Sequence, residues 1–104
     1  MRFINLTPHA IVLNDGTRFE PSGTIARVSV SFSEFNSDRI CDQVFGEIQH
    51  LPEPVEDTAL IVSGMVLSAN NGRRTDLVAP ATGHANVVRN DKGHIISVPG
   101  FVRA

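Results

Sequence analysis

A chain of 104 residues, 41% hydrophobic and 19% charged, has the size and composition of one ordinary globular domain and not of a disordered segment. Its net charge of −2 excludes the basic excess of a general DNA, RNA or acidic-membrane binder, and no apolar run approaches the about 18 residues of a membrane span. Cys41 is the only cysteine, which excludes an intrachain disulfide and a thiolate zinc framework and fits a reducing cytoplasm.

In chain order, residues 2–6 (RFINL) and 9–13 (HAIVL) are β-like runs broken by Thr7-Pro8, because Pro8 cannot donate a ladder hydrogen bond and holds Thr7 extended. Asn14-Asp15-Gly16-Thr17 is a hairpin turn signal, with residues 18–20 returning as a short strand before Pro21-Ser22-Gly23. Residues 24–32 (TIARVSVSF) alternate with period two, placing Ala26, Val28, Val30 and Phe32 on one face of a half-buried strand. Residues 33–38 read as a polar loop and 39–48 as the next strand, with Cys41 a small buried hydrophobe in it and Gly46 a bulge or bend.

The proline-bearing, acidic stretch 50–57 reads as a surface crossover, and Ala59-Leu60-Ile61-Val62 as a buried strand. Residues 63–70 fit either a continued strand or a short helix. The helix is favoured by Ser63 as its N-cap and by the Asn70-Asn71-Gly72 turn as its left-handed end. A basic corner, Arg73-Arg74, then feeds a short strand ending near Pro80. Residues 85–89 and 94–98 flank a second hairpin signal, Asn90-Asp91-Lys92-Gly93, and Phe101-Val102 closes the chain. The expected architecture is mainly β: a compact, mostly antiparallel sandwich or partly open barrel with at most one short helix, forming a single domain over 1–104.

The segments INLTPHAIVL, PSGTIARV, FGEIQHLPEP with EDTALIVSGMV, and RRTDLVAP with VVRNDKGHIISVPGF occur in that order over nearly the whole chain. Together they resemble a family of small uncharacterised proteins encoded by bacteriophages and prophages. The resemblance implies a setting, phage accessory biology inside the bacterial cytoplasm, and no particular reaction.

No catalytic motif stands out. The four histidines, His9, His50, His84 and His94, lack the spacing that brings two imidazoles onto one metal, and Ser63-Gly64 lacks the Gly-x-Ser-x-Gly elbow of a serine nucleophile. No cofactor or metal site is expected. Basic residues are lopsided, eight Arg against Lys92 alone, and Arg is the better group for bidentate phosphate contact, although coding bias accounts for the excess equally simply. Polar groups recurring at strand ends make a candidate anion site: Thr7, His9, Ser63, Arg73, Arg74, Asp76 and Arg89. The competing view is that Arg73 or Arg74 pairs with Asp76, and Arg89 with Asp91, as ordinary surface ion pairs.

The leading expectation is thus a non-enzymatic, homo-oligomeric protein that sequesters a phosphate-bearing small molecule, such as a nucleotide signal of antiphage defence; the choice of ligand is biological analogy. The alternatives are a virion, assembly or host-protein-binding component, drawn from the edge-capable strands, and a small nucleotide hydrolase.

Overall fold

Four strands assemble the central sheet in the computed structural model, which describes residues 1–103. They are β1 (Arg2–Asn5), β6 (Thr58–Ile61), β7 (Leu77–Pro80) and β10 (Phe101–Val102), hydrogen-bonded in the order β1-β6-β7-β10. The remaining strands form three two-stranded ribbons: β2 (Ile11–Val12) with β3 (Arg18–Phe19), β4 (Arg27–Phe32) with β5 (Gln43–Gln49), and β8 (Val88–Arg89) with β9 (Ile95–Ser97). The chain is mainly β, with one short helix and no closed barrel, in line with the sequence.

Four of the six strand pairings are antiparallel, but the two at the centre, β1–β6 and β6–β7, run parallel. A parallel pair needs a crossover, and helix α1 (Gly64–Asn70) supplies it between β6 and β7. Ser63 is its N-cap, with Oγ accepting from the Val66 N–H at 3.2 Å, and Asn71 ends it in the left-handed conformation.

Strand β6 is buried along its whole length because both sheet faces are covered. Leu60 and Val62 pack with Leu6, Ala26, Val66, Leu67 and Leu77 under α1, while Ala59 and Ile61 pack with Ile11, Val78 and Val98 on the other side. Beside this second cluster Phe3 stacks on Phe101, and Phe19 meets both edge-on, with ring centroids 5.2–5.6 Å apart.

Two local expectations are corrected. Residues 39–42 are loop, not strand: Asn36 Oδ1 accepts from the Asp38 and Ile40 N–H groups, and Ser33 Oγ from the Asp42 N–H, which diverts these amides from a ladder. Cys41 is therefore half-buried ahead of β5 and not a strand residue. The bulge lies where Gly46 suggested, since Gly46 and Glu47 together face Ser29 between the pairs Val28–Ile48 and Val30–Phe45. A Cβ at position 46 would meet the Ser29 hydroxyl, which would have to turn away.

Candidate functional site: a projecting arm and the cleft at its base

The β4–β5 ribbon stands out from the body as an arm. Its inner end rests on the core, with Val28 and Ile48 packed against the cluster under α1. Beyond that, every residue from Ser31 to Ile40 is exposed. The radius of gyration, 15.4 Å, exceeds the ~13 Å of a compact domain of this length. Phe32, Phe35, Ile40 and Val44 are 65, 70, 63 and 53% exposed at the outer end, with Phe32 and Val44 on opposite faces of the ribbon because Val44 pairs with Ser31 and Phe32 with Gln43.

The tip is built, not slack. Besides the Asn36 and Ser33 side-chain bonds, the Asn36 N–H donates to the Ile40 carbonyl, Arg39 N–H to Asn36 and Ser33 N–H to Asp42. Arg39 sits in the left-handed region at φ 66° to complete this turn. Loop 33–42 carries Glu34, Asp38 and Asp42 against Arg39, a net −2, and none of the four forms an ion pair among the described residues.

At the arm's base lies an open cleft of about 260 Å³, lined by Leu6, Thr7, Ile25, Arg27, Ser63 and Met65 among others. It opens beyond the carboxyl ends of the parallel strands β1 and β6, where open α/β sheets bind ligands. Arg27 is exposed and pairs with no acidic side chain among the described residues.

Of the seven residues that the sequence nominated, only Thr7 and Ser63 share this cleft. The Thr7 hydroxyl donates to Asn5 Oδ1 at 2.6 Å, with the His9 carbonyl at 3.0 Å as its alternative acceptor, and the Ser63 hydroxyl serves the helix cap. His9 is exposed and joins the network through its carbonyl. Arg74 Nε and Nη2 bind both Asp76 oxygens at 2.9 and 2.8 Å, and Nη2 also donates to the Pro52 carbonyl. Arg73 is exposed on the neighbouring turn, and Arg89 donates to the Gly93 carbonyl of its own hairpin, not to Asp91. The arginines do not converge.

The Arg74–Asp76 fork fastens the 50–57 crossover to the start of β7. The guanidinium holds the Asp76 carboxyl below the usual carboxylate range, over the opposing effect of burial, and the same bonds raise Arg74. A depressed folded pKa means stabilisation that is complete above about pH 5 and lost as pH falls through the folded value. Asp76→Asn should cost about 1.5–3 kcal/mol at neutral pH. It should also flatten the fall in Tm between pH 5 and pH 3, followed by circular dichroism. Arg74→Ala should likewise lower Tm, because its guanidinium is a structural clamp.

Two asparagines that the sequence did not single out hold the surrounding loops. Buried Asn5 donates to the His9 and Phe19 carbonyls and accepts from the Thr7 N–H and hydroxyl. Buried Asn70 clamps the Arg74 N–H and carbonyl from the end of α1. Asn5-Leu6-Thr7 has the two-residue spacing of an Asx-turn, a local signal for Asn5, whereas Asn70 bonds four residues on, beyond that spacing.

Among the described residues no group of three His, Cys, Asp or Glu is placed to hold a metal ion, and no helix is long and apolar enough to cross a membrane. No family model, curated protein or solved structure matches the chain.

Proposed function

We propose that this chain is a non-enzymatic interaction protein of phage accessory biology, acting through its β4–β5 arm on another protein in assembly or on a host target. The observation that carries this reading is the outer arm: Phe32, Phe35, Ile40 and Val44 in water on a hydrogen-bonded tip. Aromatic side chains presented on a preordered loop lose little conformational freedom on docking, the usual make-up of a hot spot. The test is sedimentation of the full chain in buffer and in bacterial lysate, beside a Phe35→Ser/Ile40→Ser variant with an unchanged Tm. The wild type should sediment faster than its monomer in at least one medium, and the variant in neither. Wild-type protein at monomer mass in both overturns the reading.

A second reading retains a small phosphate-bearing ligand, for which the observation is Thr7, Ser63 and unpaired Arg27 on one cleft at the strand ends. A nucleotide at 100 times its dissociation constant should add about 2.7 kcal/mol of stability, and Arg27→Ala should abolish that gain. A panel of mononucleotides, cyclic oligonucleotides and ADP-ribose derivatives that leaves Tm unmoved removes it.

A further inference from the structure

We infer that the partner of the arm is first of all a second copy of this chain, the two arms lying antiparallel about a two-fold axis with each tip on the cleft at the other's base. The inference rests on the arm being the docking element, as proposed above.

Three observations point the same way. The first is placement. Tip and cleft lie at opposite ends of one ribbon, because β4 leaves the cleft at Arg27, runs ~17 Å to Phe32 and enters loop 33–42. A two-fold axis across the middle of the ribbon therefore carries each tip onto the partner's cleft, giving two copies of one contact from a single patch, as closed symmetry requires.

The second is complementarity. The tip offers Phe35 and Ile40 among Glu34, Asp38 and Asp42. The cleft offers the apolar surface of Ile25, Val28 and half-exposed Met65 beside Arg27. Among the described residues the tip's net −2 has no ion-pair partner, and neither does Arg27.

The third is area. Phe32, Phe35, Ile40 and Val44 leave roughly 450 Å² of apolar surface in water, about half of the ~800 Å² per partner of a standard interface. Tip-on-tip contact would bury that half alone. Antiparallel arms add the cleft and the exposed ribbon to that area.

The experiment has two arms. Sedimentation equilibrium of the full chain should give twice its 11.3 kDa mass. Arg27→Glu, on the surface and folded like the wild type by circular dichroism, should weaken the dimer about tenfold or more, and Glu34→Arg in that background should recover it. In parallel, Met65→Cys protein oxidised under mild conditions should form an intermolecular disulfide between Cys41 of one copy and the thiol introduced at position 65 of the other, identified as a cross-linked peptide. Cys41–Cys41 cross-links would mean tips meeting each other and would overturn the geometry. A monomer at about 100 μM, or a dimer indifferent to Arg27→Glu, overturns self-pairing outright. If the monomer still sediments faster in lysate through Phe35 and Ile40, the arm's docking role stands and only the identity of its partner falls.

Discussion

Replacing Asn5 with Ala should lower stability by about 3 kcal/mol or more, a fall in Tm of roughly 12 °C or more for a domain of this size. The amide makes four hydrogen bonds at 2% exposure, to the His9 and Phe19 carbonyls and from the Thr7 N–H and hydroxyl. Its removal leaves those groups unsatisfied in a place that water reaches poorly, and each costs about 1–3 kcal/mol there. Asn5→Asp should fare little better, because it keeps two acceptors, loses both donors and buries a charge. Thermal melts of the two variants against Thr7→Val would apportion the network. Thr7→Val removes only the hydroxyl and should cost about 1 kcal/mol.

The second large effect belongs to the central strand. Leu60→Ala should cost about 3–4 kcal/mol in urea unfolding, since Leu60 is 1% exposed between α1 and the sheet and its neighbours are held on both sides. Val44→Ala on the outer arm should change stability by less than about 0.5 kcal/mol. The contrast separates what the chain needs in order to fold from what it displays. If Val44→Ala cost as much as Leu60→Ala, the arm would be packed against the body.

Much of the architecture is written in short-range signals. Asn14-Asp15-Gly16 and Asn90 to Gly93 mark their hairpins because a tight turn needs residues that tolerate positive φ, which Gly16 and Gly93 adopt. Ser63 and Asn71 bracket α1 because a helix must satisfy its terminal amides and carbonyls locally. The direction of the central pairings is not local. Ala59-Leu60-Ile61-Val62 reads as buried in either arrangement, and nothing within it says that β1 will lie alongside in parallel. The candidate site was less legible for the same reason. Arg74 and Asp76, two residues apart, were nominated as ligand groups or as an ion pair, and they bind each other. Arg27, hidden in an alternating strand, is the arginine that reaches the cleft. The arm itself was half visible: residues 24–32 show the strand, but its departure from the body depends on which residues the core leaves uncovered.

The parallel β1–β6 pair also sets a schedule for folding. Arg2 is registered with Thr58, 56 residues further on, so the first strand made lacks its ladder partner until the sixth has left the ribosome. At 5–20 residues per second that interval is roughly 3–11 seconds, during which Phe3, Ile4 and Leu6 lack their β6 neighbours in the nascent chain. The N-terminal hairpin waits longer still, because Asn14 and Val12 close onto Val98 near the end of synthesis. Folding of this chain is thus a late, concerted event dominated by contacts distant in sequence, of the kind that proceeds in milliseconds to seconds. A polypeptide stalled before Val98 would carry its N-terminal hairpin without the bonds joining Val12 and Asn14 to Val98, in a form more open to proteolysis.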